Sequence, residues 1–368
     1  MSEAKRILIA GFTSEVGGME SYVMNLYRHV DREKLQFDFV NNLNTQIAYA
    51  DEIVKLGGKV FNIPIIRNGF VEHYNALNRL FSNTKYEAVY YQANRKLKNA
   101  DLFRYAKKYG VPHRILHSHN TQQLDEGRVD MIRAAYAKKQ LARLVTDYFA
   151  CSKEAGEWMF PGVSNVVVVK NGVDTDLFDY NKSIASSIRL REGVGERKIY
   201  GTVGRLCAEK NSLFLVDIFA EIHKRDKDAV FWHIGGGGLE SEMREKIRMY
   251  NLEDSYFLLG RKENVSDYLN AMDLLLLPSE HEGFPITLVE AQCSGLHCLI
   301  SENITQSVDI SGNVSFKSLG ASADEWAIEA IYLSSYQRES CKEILINRGY
   351  DESRIADWFV SFMIGEGE

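Results

Sequence analysis

Residues Lys198–Arg225, KIYGTVGRLCAEKNSLFLVDIFAEIHKR, hold the pattern on which the fold turns. Like KRILIAGF near the start of the chain, a short apolar run ending in glycine such as a buried parallel strand shows, KIYGTVGRL reads as a strand. NSLFLVDIFAEIHKR then reads as a helix, and the loop between them, GRLCAEK, gathers Arg205 and Lys210. This strand–loop–helix unit stands at mid-chain, where it restarts a rhythm that the first half has already run through.

Working back, KRILIAGF, FDFVNN, KVFNIPI, EAVYYQAN, HRILHSHN, VTDYFACS and NVVVVKNG read as strands. GGMESYVMNLYRHV is helical, with Met19, Val23, Leu26 and Tyr27 on one face, and helical segments are expected around 48–57, 72–82, 99–109 and 128–144. Working forward, AVFWHIGGGG, YFLLG, DLLLLPS and HCLIS are strands, separated by the helices LESEMREKIRMYN and NVSDYLNAM. Repeated β-α units imply an α/β fold of parallel sheets with helices on both faces. The chain of 368 residues is long enough for two such domains. The expected architecture is two doubly wound, Rossmann-like domains facing across a central cleft. Their boundaries are 1–178 and 179–352, with the polar segment 179–198 as the hinge.

Composition excludes several classes. A hydrophobic share of 45% and a charged share of 26% belong to an ordinary globular protein, and a net charge of −6 disfavours a chain built to coat nucleic acid. Charge is uneven, however: from Arg95 to Arg143 there are twelve basic residues and four acidic ones. That segment suits an anionic lipid surface or an anionic substrate, or is simply a solvated pair of helices. The five cysteines form no C-x-x-C pair, so a reduced, cytoplasmic setting is expected. No run approaches the roughly 20 apolar residues of a membrane span, so any work at a membrane is peripheral.

In doubly wound sheets ligands bind beyond the carboxyl ends of the strands, and polar residues collect in those loops here. SEHEGFPITLVEAQCSG, Ser279–Gly295, places Glu282 before a Gly-Phe-Pro turn and Glu290 within the helix that follows. Pro285 suits the first helical turn and Gly295 its end. The loop 283–287 would aim backbone N–H groups outward, as an anion site requires. An acid near a helix start is also often only a dipole partner. Arg205 and Lys210 are suited to a diphosphate, one as a two-pronged donor and the other as a point charge, or are two solvated cations. HIGGGG, with Gly235–Gly238, lacks the spacing of a dinucleotide fingerprint, which disfavours a nicotinamide dehydrogenase. Gly17 and Gly18 precede a helix. His117 and His119 share one face of a strand end, and a core histidine is the competing reading for each. Asp174–Asp176 and Asp226–Asp228 match D-x-D but lack supporting ligands, so no metal is expected.

In the order GGME, HSHN, KNGVD, GRLCAEKN, HIGGGG, FLLGRKENV and PSEHEGFPITLVEAQCSG, the chain resembles the retaining glycosyltransferases of family 4. These have the GT-B fold, and the resemblance is greatest to the branch that builds capsular and exopolysaccharide units. It implies that DESRIADWFVSFM begins a last helix, about 353–368, that completes the first, acceptor-side domain. It also implies donor roles for particular residues. Glu282 and Glu290 match the family's paired acids, the first near the transferred sugar and the second on the ribose. Arg205 and Lys210 match the diphosphate pair. Gly283, Phe284, Pro285, Ile286 and Thr287 match the sugar–phosphate loop, although many relatives carry glycine where Pro285 stands. Arg261 and Lys262 fall where the base is held, Gly235 lies in the glycine loop, Gly17 and Gly18 match the closing loop, and His119 is the histidine near the reacting sugar.

The expected function is a metal-independent, retaining hexosyltransferase without cofactor. It would take a hexose or N-acetylhexosamine from a UDP-sugar to a lipid-linked saccharide, from the cytoplasmic side of the membrane. A sugar-nucleotide epimerase or phosphorylase of the same fold, and a non-catalytic glycan-binding partner subunit, are the alternatives.

Overall fold

The computed structural model describes residues 4–93, 100–119, 136–137 and 139–365. They form two compact units, one comprising Met1–Gly172 with Glu352–Glu368 and the other Val173–Asp351.

The first unit is built on a seven-stranded sheet, β1 (Lys5–Ala10), β2 (Leu35–Asn41), β3 (Val60–Asn62), β4 (Tyr86–Ala93), β5 (His113–Ser118), β6 (Asp147–Ala150) and β7 (Val166–Val168). Its order is β3-β2-β1-β4-β5-β6-β7, and every pairing is parallel. Parallel pairing buries both faces, which is why Ile7, Leu8, Ile9, Phe37, Phe39, Val89 and Tyr90 are all without solvent exposure. The helix Gly18–His29 covers one face and packs on the helix Glu352–Ile364, whose Phe359 meets Phe37 and Tyr90.

The second unit carries six strands, β8 (Ile199–Val203), β9 (Val230–Ile234), β10 (Tyr256–Gly260), β11 (Leu274–Leu277), β12 (Cys298–Ser301) and β13 (Val314–Lys317). The order is β10-β9-β8-β11-β12-β13, again all parallel. Both sheets therefore have the doubly wound order, with one switch point between β1 and β4 and another between β8 and β11. Two Rossmann-like parallel-sheet units are the architecture of the GT-B fold.

The structure moves some expected boundaries. The chain passes from the first unit to the second at Gly172–Val173, earlier than the expected 178/179. The supposed hinge 179–198 instead carries the helix Lys182–Arg191, capped by Asn181 and tied to the sheet by Arg189 on Asp273 at 2.7 Å. Val173 is held within the second unit by its N–H on the Tyr350 carbonyl, 2.9 Å. No helix among the described residues is long and apolar enough to cross a membrane.

Candidate functional site

At the β8/β11 switch point of the second unit, two loops lie side by side. After β8 the chain passes Gly204 and Arg205 to a 3-10 turn, Ala208–Lys210, and Asn211 takes a left-handed φ of 51° to enter the helix Ser212–Arg225. After β11 it passes Pro278 and Ser279 to Glu282. The two loops are joined by the Glu280 N–H on the Glu209 carbonyl, 2.8 Å. Lys210 Nζ donates to Glu282 Oε1, and Ser279 Oγ donates to the same oxygen at 2.8 Å. The side chains of Lys210 and Glu282 are 21% and 11% exposed, so the pair is shielded yet reachable. Arg205, half exposed, meets Glu209 at 3.2 Å. An exposed pair of that kind contributes under about 1 kcal/mol and exchanges readily.

Neighbouring strand ends form a wall of main chain. Gly204 N–H donates to the Ile234 carbonyl and Gly235 N–H to the Gly260 carbonyl, both at 2.9 Å. Gly235 has φ +137°, and a Cβ there would lie 1.9 Å from the Gly204 oxygen, so no side chain fits. Arg261, which is exposed, and Lys262 follow β10, and Lys262 Nζ stands 5.4 Å from the centre of the Tyr268 ring.

Pro285 is the cap of the helix Ile286–Cys293 rather than its first residue, because its ψ of 117° keeps it extended. Gly283 and Thr287 are half-buried, while buried Ile286 and Phe284 anchor the turn, Phe284 stacking on Tyr350 at 5.9 Å. As the first helical residues, Ile286 and Thr287 have amides with no acceptor inside the helix. Glu290 follows one turn later, and burial pushes its carboxyl up to about 7. A half-protonated carboxyl both donates to and accepts from hydroxyl groups. Gly295 ends the helix with φ +68°.

Sequence reasoning missed the residues that hold this helix in place. Gln292 is fully buried: its Nε2 donates to Leu288 and Val308 carbonyls at 3.0 and 2.9 Å, and its Oε1 accepts from Ile310 and Ser311 N–H at 2.8 and 3.0 Å. Arg338 donates to the carbonyls of Leu269, Asn270, Met272 and Ser294 and lies over Tyr180, and burial brings its guanidinium down to about 10. No local signal reveals either, since their partners lie far away in sequence. Ser279 was quoted in the motif but given no role.

In the first unit the other candidates follow β1 or stand at the end of β5, and Tyr22 of the helix Gly18–His29 lies 5.2 Å ring to ring from both histidines. His119 N–H donates to the Ala93 carbonyl at 2.9 Å, and its Nε2 meets Gln92 Oε1 at 2.7 Å. His117, with no exposure, lies 4.0 Å away ring to ring and bonds Tyr90 through Nδ1 at 2.6 Å, and Tyr90 in turn meets Tyr22 at 3.0 Å. Burial drives His119 down to about 3 and His117 well below the ordinary value. His119 is therefore a neutral imidazole near neutral pH, a hydrogen-bonding group and not an acid. Gly17 caps the helix Gly18–His29, whose buried Glu20 reaches back to Thr13 N and Oγ1 at 3.0 and 2.8 Å. Gly18 has open space where a Cβ would be.

The D-x-D segments make turns. Asp174 accepts from Asp176 and Leu177 N–H at 3.1 and 2.9 Å, and Asp226 accepts from Asp228 N–H at 3.1 Å. Among the described residues no group of three or more His, Cys, Asp or Glu is arranged to hold a metal. Of the basic segment, Arg95, Lys96, Lys98, Arg128, Arg133 and Lys138 lie outside the described residues. Arg114 is structural, bound to the Leu144 and Val111 carbonyls, and Lys107 bonds the Arg143 carbonyl at 3.1 Å.

A cation-bearing loop and an acid-bearing loop thus meet at the switch point of the second sheet, the place where doubly wound sheets bind ligands. Residues 197–333 match the family model "Glycosyl transferases group 1". The chain is 34% identical over 363 residues to a Bacillus subtilis (strain 168) protein named "Putative glycosyltransferase EpsF", covering 95% of this chain and 94% of that one. It belongs to the group 1 glycosyl transferases. It is also 27% identical to the UDP-Gal:alpha-D-GlcNAc-diphosphoundecaprenol alpha-1,3-galactosyltransferase of Escherichia coli, over 65% of this chain and 63% of that one. Among solved structures it is similar to Anabaena HepE in complex with UDP and glucose, with a TM-score of 0.73, 16% identity and 98% of each chain covered. A glycosyltransferase from Rickettsia africae gives 0.78, with 14% identity over 100% of each chain.

Proposed function

We propose that this glycosyltransferase is a retaining, metal-independent enzyme of cell-surface polysaccharide assembly. It moves a hexose or N-acetylhexosamine from a UDP-sugar to a lipid-linked saccharide. The observation that carries the reading is the Lys210–Glu282 pair at the switch point of one sheet, with Arg205 on the loop that carries Lys210 and the helix Ile286–Cys293 following Glu282 in the chain. Cleaving a sugar–phosphate bond builds negative charge on the departing diphosphate. Two cations and the helix-head amides stabilise that charge. Glu290 suits the ribose hydroxyls, and Arg261 and Lys262 the base.

Glu282 is assigned to a hydroxyl of the donor sugar rather than to its anomeric carbon, and no other acid of these loops is assigned as a nucleophile. The reading is therefore same-face displacement: the acceptor oxygen bonds to the anomeric carbon as the carbon–phosphate-oxygen bond breaks, and the acceptor proton passes to the departing phosphate. Gly17, Gly18 and His119 are assigned to the reacting sugars on the motif resemblance. The names of EpsF and of the undecaprenol-linked galactosyltransferase support a polysaccharide and a lipid-linked acceptor, and HepE's ligands support UDP. Lys139, Arg143 and the rest of the basic segment apart from Arg114 are assigned to an anionic membrane surface at the cytoplasmic face.

The test is a panel of sugar nucleotides, with and without saccharide acceptors and with EDTA. One UDP-sugar should be consumed only when an acceptor is present, chelator should not slow it, the product should keep the donor's anomeric configuration, and Lys210→Ala should abolish turnover. Acceptor-free conversion would instead identify an epimerase, and a trapped glycosyl–Glu282 adduct would exclude same-face displacement.

A further inference from the structure

The Lys210–Glu282 pair occupies the place where the proposed donor's diphosphate has to bind, and the inference drawn from it rests on that donor-site reading. In the structure the Lys210 ammonium is already matched by an acid in a half-buried setting, where charges are screened less than at the surface. Ser279 holds the same carboxylate oxygen, and the Glu280–Glu209 bond keeps the two loops in register, so the pairing is built in. An incoming diphosphate thus meets a neutralised cation and an opposing negative charge.

We infer that Glu282 is an internal competitor for the diphosphate. Lys210 passes from Glu282 to the phosphate oxygens when the donor binds, and the carboxylate so released accepts a hydrogen bond from a hydroxyl of the donor sugar. The exchange distinguishes substrate from product. A UDP-sugar supplies a hydroxyl to the released carboxylate, whereas UDP supplies none, so re-formation of the Lys210–Glu282 pair weakens the hold on spent nucleotide. A residue that merely touched the sugar would leave the binding of UDP unchanged.

Titration calorimetry with UDP and with GDP, neither carrying a sugar, tests this on wild type, Glu282→Gln, Lys210→Ala and the double variant, with a thermal melt of each. Glu282→Gln should bind the nucleoside diphosphate at least tenfold more tightly than wild type, and Lys210→Ala in the same chain should cancel that gain. Turnover of the Gln variant should fall and become more sensitive to inhibition by its own nucleotide product. Glu282→Ala, which also removes the anion, serves the same comparison should the Gln variant fail to fold. Unchanged or weaker nucleotide binding in a folded variant, beside a wild type that binds, overturns the competition alone. A wild type that binds neither nucleotide overturns the donor-site reading and this inference with it.

Discussion

Replacing Glu290 by Gln gives the most quantitative check on the second unit. Burial pushes this carboxyl up to about 7, against 4.5 ordinarily. A raised acid binds more protons folded than unfolded between those values, so its contribution to stability falls as pH rises through that window, and above about 7 the full cost of the ionised form is present. At 1.36 kcal/mol for each tenfold change in proton concentration, the interval corresponds to about 3 kcal/mol, and the solvent that reaches the half-buried side chain lowers it to about 2–3. His119 and His233, both driven down to about 3 by burial, act in the opposite sense, since the unfolded chain protonates them first as pH falls below about 6.5. The wild-type profile alone is therefore mixed, and the difference from Glu290→Gln isolates the one carboxyl. Urea unfolding of both proteins at pH 5 and pH 8 should show wild type losing about 2–3 kcal/mol relative to the variant between the two. If the difference between the proteins is the same at both pH values, Glu290 is ionised in the fold and the burial argument is wrong.

Two other changes test the frame around the site. Gln292→Leu would strand the Val308 carbonyl and the Ile310 and Ser311 amides, at about 1–3 kcal/mol each. Partial relaxation leaves an expected loss of about 3–5 kcal/mol, or a melting shift of about 10 °C, and a variant within 1 °C of wild type would show that the amide is not a fastening. Gly235→Ala forces a Cβ against the Gly204 carbonyl at a φ that alanine avoids. Destabilisation by about 2–4 kcal/mol is expected, with turnover lost as the Arg205 loop shifts, and a fully active, equally stable variant would mean that the strand ends are not in contact there.

The sequence was most legible where burial is two-sided. β11 is an unbroken apolar run because both faces are covered, and β1 carries the run ILIA after Lys5 and Arg6; YFLLG matches β10 residue for residue because its apolar run persists even at a half-buried edge. β13, at the sheet edge, has only half-buried residues, and VSFK shows no such run, so it went unread. The helix Ala323–Leu333 was missed too, although its Ser322–Glu325 capping box is a local signal. Glu282, Lys210 and His119 were legible as candidates because they stand in the segments that follow strands, and Glu290 because it lies in the helix that such a loop opens. Gln292, Arg338 and Gln92 were not, because a buried polar residue is distinguished only by partners that the fold brings to it, such as residues 308–311 for Gln292.

The helix Glu352–Ile364 belongs to the unit that begins with β1, so all of Val173–Asp351 intervenes before that unit has its last piece. On the ribosome, the later-made unit is the one that can close first, from a continuous segment. The earlier-made sheet must meanwhile wait with Phe37, Tyr90 and Phe149 lacking the cover that Trp358, Phe359 and Phe362 will add to that of the helix Gly18–His29. Nascent chains of this protein therefore carry an exposed aromatic surface through half of their synthesis, a place for chaperones to hold.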